Sequence, residues 1–210
     1  MPTMGKGDIE TLIETLKTIW IFGYGSLLWN PDIQYLSKKK GYIRGYPGRV
    51  ATLVEEDEGI VWGIAYEVEG LENIKEALGN LNIREKQLGG YELVVTNFYS
   101  KPENGQESQS SYKVVMYMAT PENLLYNEQH DLQALAKQIV RANGSKGSNI
   151  EYVMKLADCV RKHIPEDKDA HLFELENCVK VELSRDFALQ QEALPDDEVR
   201  ENMVVSLIAV

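Results

Sequence analysis

The sequence predicts an α+β fold. Patterns typical of strands are concentrated in the first 120 residues, whereas residues 132–184 repeat apolar side chains at helical spacing. The 210 residues include 43% hydrophobic side chains, which is enough for a core, and no internal repeat divides the chain. Strands followed by helices are typical of α+β proteins, not of proteins built from βαβ repeats.

The first 48 residues predict a helix, a strand and a loop. Apolar spacing favours a helix over residues 8–18, and the apolar run Trp20–Leu28 predicts a buried strand broken by Gly23 and Gly25. Asn30–Gly48 is predicted to be a loop, in which the lysines at 38–40 form a solvated surface patch.

The middle of the chain predicts four strands and one helix. The helix is indicated by Leu71, Ile74, Leu78 and Leu81, which recur at helical spacing. The strands are rich in Val, Tyr and Thr and are predicted over Val50–Glu55, Ile60–Val68, Tyr91–Ser100 and Tyr112–Thr120, with a polar hairpin loop over Lys101–Ser111.

The C-terminal part is predicted to be helical. One apolar stripe covers residues 132–140, Ser148 and Glu151 form a capping box before a second helix, and a third stripe covers residues 172–183. Residues after 185 are acidic and weakly patterned. The predicted organisation is therefore a helical extension over 1–18, one domain over 19–184 and an acidic tail over 185–210.

Composition excludes several classes of protein. Lys and Arg total 22 and Asp and Glu total 33, so the net charge is −11. Nucleic acids and anionic membranes bind basic surfaces, so neither is an expected partner. Cys159 and Cys178 form no C-x-x-C pair, and with the scattered histidines they predict neither a disulfide framework nor a metal site. Without a signal-peptide pattern or an apolar run of membrane length, a cytosolic protein is expected.

Phe22–Leu28 is the most unusual segment of the chain. It reads Phe-Gly-Tyr-Gly-Ser-Leu-Leu, and its glycines permit a sharp turn at the end of a buried strand. Successive backbone N–H groups in such a turn can bind an anion. The residues alone leave a simple strand bulge as the alternative.

A second segment places the carboxylate of Glu85 just after a helix and just before a strand. From spacing alone, a solvated glutamate is the expected interpretation.

Six segments occur in the order found in a known family. They are Trp20–Trp29, Pro47–Glu55, Val61–Tyr66, Arg84–Lys86 before Gly89-Gly90-Tyr91, Asn149–Tyr152 and His171–Glu176. With these segments the chain resembles the ChaC family of glutathione-specific gamma-glutamylcyclotransferases. The resemblance extends from about Trp20 to Leu183.

The resemblance implies a small mixed β-barrel surrounded by helices, and an enzyme that cleaves glutathione to 5-oxoproline and L-cysteinylglycine. It implies that Glu85 is catalytic and that the gamma-glutamyl group is held by Gly23, Tyr24, Gly25, Ser26, Leu27 and Leu28. Neither a metal nor an organic cofactor is implied. Tyr152 is a further candidate for the substrate pocket, and a core tyrosine is the alternative. The sequence does not indicate an oligomeric state.

The implied chemistry explains why a single carboxylate is sufficient. The substrate's α-amine attacks its own γ-carbonyl, so the enzyme supplies orientation and no nucleophile. One glutamate in a partly apolar pocket can take a proton from the amine and return one to the leaving nitrogen. Backbone N–H groups of Tyr24–Leu27 could bind the α-carboxylate or the developing oxyanion.

Two features depart from the family pattern. Between Tyr46 and Pro47 the chain lacks a segment long enough for a strand and its turns, which predicts the loss of a barrel strand, a wall of the pocket, or both. Gln87 and Leu88 are inserted before the Gly-Gly-Tyr sequence and lengthen the turn beside Glu85. Three functions therefore stay open: cleavage of glutathione, cleavage of other gamma-glutamyl compounds, and binding by a catalytically silent protein.

Overall fold

Strands dominate the first part of the chain and helices the last. The computed structural model describes residues 16–46, 48–49, 52–53, 59–87, 91–101, 110–119, 131–144 and 147–192. The strands are β1 (Thr18–Gly23), β2 (Ser37–Arg44), β3 (Gly48–Arg49), β4 (Thr52–Leu53), β5 (Ile60–Glu69), β6 (Glu92–Ser100), β7 (Ser111–Met118), β8 (Asn143–Gly144) and β9 (Gly147–Ser148). The helices are α1 (Leu71–Leu81), α2 (Leu132–Arg141), α3 (Asn149–His163) and α4 (Ala170–Glu192).

The described residues divide into two compact units. The first takes its residues from 1–128 and 153–172, and the second from 129–152 and 173–210. The barrel, α1 and most of α3 belong to the first unit, whereas α2 and most of α4 belong to the second. The predicted division of the chain at residues 18 and 184 stays a prediction.

Five strands of the first unit close into a barrel in the order β1-β5-β2-β6-β7. Neighbours are antiparallel except β1 and β7, which pair in parallel through Ile21 and Val115. The predicted α+β fold with a small mixed barrel is confirmed. The shortened segment after Tyr46 leaves no opening in this barrel, because β2 lies between β5 and β6.

Alternate strand residues form two apolar clusters, as expected where successive side chains point to opposite faces of a sheet. One cluster is the barrel interior, since every barrel strand contributes to it and α1 does not; its members include Phe22, Ile43, Ala65, Phe98, Val114 and Met116. The other lies between the barrel and α1, where Ile19, Ile21, Val68 and Tyr117 pack against Ile74, Ala77, Leu78 and Leu81. α1 is thereby fixed to the outer face of the sheet.

The predicted loop over Asn30–Gly48 is wrong for Ser37–Arg44, which form strand β2. Lysine and glycine are poor strand formers, so local pattern hides this strand. Gly41 is required by close approach, because a Cβ there would lie 2.2 Å from the carbonyl oxygen of Tyr99. The neighbouring Lys39 is exposed as predicted, and its ammonium lies 5.4 Å from the centre of the Trp20 ring.

Other predicted elements are confirmed with shifted ends. β5, β6, β7, α1, α2 and α3 occur where apolar periodicity predicts them. The strand predicted over Trp20–Leu28 ends at Gly23 instead, because the chain turns after it. Most of the predicted helix over 8–18, strand over Val50–Glu55 and hairpin loop over Lys101–Ser111 lie outside the described residues, and Thr18 already belongs to β1.

In the second unit, side chains cap the helices. The carboxylate of Asp131 accepts a hydrogen bond of 2.9 Å from the Gln133 N–H at the start of α2. Ser148 accepts one of 3.1 Å from the Ile150 N–H and so caps α3, whereas the part of Glu151 in the predicted capping box stays a prediction. α4 continues to Glu192, so residues 185–192 of the predicted acidic tail or edge element are helical. No helix among the described residues is both long and apolar enough to cross a membrane.

Candidate active site

The glycine-rich segment forms a sharp turn where β1 ends. β1 stops at Gly23, and Gly25–Leu28 make one 3₁₀ turn. Gly25 has φ +55°, a left-handed conformation that costs other residues about 1–2 kcal/mol. Within the turn, the Leu27 N–H donates to the Tyr24 carbonyl at 3.1 Å. The structure therefore has the predicted turn in place of a strand bulge.

Two tyrosines fasten this turn to the barrel. The Tyr66 hydroxyl on β5 donates a hydrogen bond of 2.8 Å to the Leu27 carbonyl. The Tyr24 hydroxyl donates one of 2.7 Å to the Tyr117 carbonyl on β7. Leu27 is also buried in the cluster beneath α1. The turn is thus held by two barrel strands and by apolar packing.

Glu85 lies on a single π-helical turn, Asn82–Gln87, that continues from α1. Its side chain is 15% exposed. The Tyr91 N–H donates a hydrogen bond of 3.0 Å to the Glu85 carbonyl, which closes the connection to β6. The interpretation from spacing alone, a solvated glutamate, is wrong, because the Glu85 side chain is mostly buried and paired with an arginine.

Arg84 connects Glu85 to the glycine-rich turn. Its Nε lies 2.9 Å from Oε1 of Glu85. The other guanidinium nitrogens donate hydrogen bonds to the Ser26 hydroxyl and, at 2.7 Å, to the Asn30 carbonyl. Two segments separated by more than fifty residues therefore meet at one guanidinium.

Burial raises the pKa of the Glu85 carboxyl, and the positive charge of Arg84 opposes this by lowering it. The Tyr117 hydroxyl, on β7, donates a hydrogen bond of 2.8 Å to Oδ1 of Asn82. Burial and, after it, the charge of Glu85 raise the pKa of Tyr117, so this phenol stays protonated near neutral pH. A glutamate whose pKa is raised in this way keeps its proton to a higher pH than a solvated one.

The structure brings together most of the predicted site residues. Tyr24, Gly25, Ser26 and Leu27 lie on the anchored turn, Gly23 ends the strand before it, and Leu28, which is also buried, completes it. Glu85 joins them through Arg84. Tyr152 is half-buried on α3 within the second compact unit, and its place in the substrate pocket stays a prediction.

Sequence reasoning missed the contributions of Arg84, Asn82 and Tyr117. Arg84 directly precedes Glu85, which was a usable signal, whereas Tyr117 shares no local pattern with the site. Among the described residues, no group of three or more His, Cys, Asp or Glu side chains is arranged to hold a metal ion.

Known proteins resemble this chain over most of its length. The family model of the ChaC-like protein matches residues 19–47 and 45–182. Glutathione-specific gamma-glutamylcyclotransferase 1 from Danio rerio is 38% identical over 184 residues, which cover 80% of this chain and 91% of that protein. The Homo sapiens protein of the same name is 39% identical over 173 residues, 74% of this chain and 76% of that protein.

A solved structure has the same fold. The crystal structure of a gamma-glutamyl cyclotransferase specific to glutathione from yeast matches with a TM-score of 0.68 and 21% identity. The match covers 79% of this chain and 96% of the yeast chain. Together, the family model and these relatives establish that the chain belongs to the ChaC-like protein family.

Proposed function

We propose that this protein cleaves glutathione to 5-oxoproline and L-cysteinylglycine. Its relatives are named as glutathione-specific gamma-glutamylcyclotransferases, and the family model matches most of the chain. The observation that carries the proposal is the partly buried Glu85 carboxylate, linked through Arg84 to Ser26 of the glycine-rich turn. The cytosolic location expected from the sequence is part of the same proposal.

The proposed reaction is an intramolecular cyclisation. The α-amino nitrogen of the gamma-glutamyl group forms a bond to its own γ-carbonyl carbon, and the bond from that carbon to the cysteine nitrogen breaks. The products are the five-membered lactam and the released dipeptide, so no water is consumed. Because the nucleophile belongs to the substrate, the enzyme contributes mainly orientation and proton transfer.

Glu85 is proposed as the single acid and base. An α-amino group has a reference pKa of about 7.7–8.0 and arrives mainly protonated at neutral pH. The Glu85 carboxylate takes a proton from this amine and returns one to the leaving nitrogen. The raised pKa of Glu85 supports this role, because it brings the proton affinity of the carboxyl closer to that of the amine.

The glycine-rich turn is proposed to hold the gamma-glutamyl group. The first N–H groups of a helical turn have no acceptor within that turn, which leaves those of Gly25 and Ser26 as donors for the α-carboxylate or the oxyanion. The Leu27 N–H is less suited, since it already donates to Tyr24. Gly23, Tyr24 and Leu28 are proposed to complete the walls of the pocket.

A second candidate function is cleavage of other gamma-glutamyl compounds. It is favoured by the family match, which comes in two pieces that meet at residues 45–47. A family segment is therefore shortened between β2 and β5, and its loss would most directly affect the cysteinylglycine side of a pocket. Binding without turnover is the corresponding outcome if this loss disables catalysis.

The test is to incubate the purified full chain with glutathione and, separately, with gamma-glutamyl dipeptides. Mass spectrometry then measures 5-oxoproline and the released amine. We expect 5-oxoproline and cysteinylglycine from glutathione at the highest kcat/KM. Faster release from the dipeptides would favour the second candidate. A protein folded by circular dichroism that releases no 5-oxoproline from any of them would contradict both.

A further inference from the structure

The side chain of Arg84 has acceptors on three separate parts of the site. One is the Glu85 carboxylate, the second is the Ser26 hydroxyl within the turn, and the third is the Asn30 carbonyl just after the turn. Arg84 is 21% exposed and Glu85 15% exposed, so this ion pair is shielded from most of the solvent. Such a pair is screened less by salt than one on the open surface.

We propose that Arg84 is a positioning residue for the cyclisation, which holds the Glu85 carboxylate at a fixed place relative to the turn that binds the substrate. This inference rests on the proposed function. Arg84 itself transfers no proton, because a guanidinium stays protonated in proteins. It acts through Glu85 and through Ser26.

The shape of the guanidinium suits this role. It is planar and carries five N–H donors in a rigid fork, so it can bond a carboxylate and two further oxygens in fixed directions. A lysine ammonium keeps the charge but offers a point charge on a flexible stem. A misplacement of about 1 Å between reacting groups can cost on the order of 10²-fold in rate. Geometry and charge can therefore be tested separately at this position.

Electrostatics supports the same inference. Burial raises the pKa of Glu85 and Arg84 lowers it. From β7, the group that faces Glu85 is Tyr117, a neutral phenol whose own pKa is raised. Among the described residues that act on Glu85, Arg84 is thus the one positive charge. Its removal is expected to move the titration of Glu85 to higher pH.

Two substitutions separate the geometric and electrostatic contributions. Arg84→Lys keeps the charge and loses the fork, so kcat should fall by on the order of 10²-fold while the acidic limb of the kcat/KM profile stays near that of the wild type. Arg84→Met loses both, so kcat should fall at least as far and the acidic limb should move to higher pH. In both variants kcat should change more than KM, because the lost alignment matters in the transition state.

Arg161→Met is the matched control. Arg161 lies on α3 within the same unit, is 45% exposed and pairs with Asp158 at 3.7 Å. This substitution also removes one arginine from one ion pair, and we expect neither kcat nor the pH profile to change. Thermal unfolding followed by circular dichroism confirms that all variants are folded at the assay temperature.

An NMR titration measures the effect of Arg84 on the pKa of Glu85 without any turnover. Protein labelled with ¹³C at glutamate carboxyls is followed by NMR, and the Glu85 signal is identified by its loss in Glu85→Gln. The pKa of Glu85 should rise in Arg84→Met and stay near the wild-type value in Arg84→Lys. An unchanged Glu85 pKa in Arg84→Met, or full kcat in Arg84→Lys, overturns the role of Arg84. A wild-type protein that releases no 5-oxoproline overturns the proposed function instead.

Discussion

Glu85 and Glu166 belong to the same compact unit and both are ion-paired. Yet the pKa of Glu85 is raised above its ordinary value, whereas that of Glu166 is lowered. Glu85 has one guanidinium at 2.9 Å, and burial outweighs that charge and raises its pKa. Burial acts in the same sense on Glu166, but hydrogen bonds from Lys101 and Lys40 outweigh it and lower the pKa to about 2. The two side chains are similarly exposed, 15% and 21%.

The difference between the two sites therefore lies in their donors. Glu166, in the connection between α3 and α4, receives two ammonium groups from β2 and from the end of β6. Such a carboxylate stays ionised and links its connecting segment to the barrel. Glu85, whose one positive neighbour among the described side chains is Arg84, retains a carboxyl with a raised pKa. An ion pair alone does not distinguish a structural carboxylate from a catalytic one.

The pH dependence of kcat/KM tests whether Glu85 differs from Glu166 in this way. If ionised Glu85 is the base, kcat/KM should fall about tenfold for each pH unit below the pKa of Glu85. Because that pKa is raised, the acidic limb should lie above the ordinary value of 4.5. Steady-state rates between pH 4 and 8, with circular dichroism to confirm folding, locate the limb. A limb at or below pH 4.5 in a folded protein would assign it to another group.

A second prediction, with a smaller expected effect, concerns the conformation of the turn bound by Arg84. Gly25→Ala forces alanine into φ +55°, so it should destabilise the fold by about 1–2 kcal/mol and lower turnover by displacing the turn. Gly79→Ala is the matched control, since a Cβ there meets nothing within 4 Å and the residue lies inside helix α1. It should stabilise the protein by about 0.5–1 kcal/mol. Urea unfolding measures the free energy of unfolding of both variants. Equal changes in the two would show that the turn does not require a glycine at position 25.

We expect a still smaller effect on the free energy of unfolding, through the ionisation of Glu166. Its folded pKa is lowered from 4.5 to about 2, so the unfolded chain binds more protons within that window. The stability contributed by ionised Glu166 is fully present above pH 4.5 and is lost as the pH falls toward 2. Glu166→Gln should therefore lower the free energy of unfolding at pH 6 and reduce its dependence on acid. Identical acid dependence in the two proteins would show that the lysine contacts contribute nothing.

Much of the fold could be predicted from local pattern. β5, β6 and β7 are rich in β-branched and aromatic residues, and α1, α2 and α3 place apolar residues on one face. β2 could not be predicted from local pattern, because its lysines and Gly41 are poor strand formers. Its position in the barrel depends on pairing with β5 and β6. Such pairing is a tertiary property that no local window contains.

The candidate site could likewise be predicted only in part from the sequence. The turn and Glu85 could be found from the glycine spacing and from the family resemblance, because both are continuous motifs. The burial of Glu85 and the contact between Arg84 and Ser26 depend on how α1 packs on the barrel. Their partners lie 58 residues apart in sequence, so they become visible only in three dimensions.

Two matched substitutions, Glu85→Gln and Glu166→Gln, show which of the two carboxylates takes part in the reaction. Each replaces one ion-paired carboxylate by a neutral amide of nearly the same shape. Release of 5-oxoproline from glutathione by Glu85→Gln should fall by about 10²- to 10⁴-fold in kcat, the usual contribution of a general acid and base. Glu166→Gln should retain the wild-type kcat. Near-normal turnover by Glu85→Gln, or an equal loss in both variants, would contradict the assignment of Glu85 as the catalytic carboxylate.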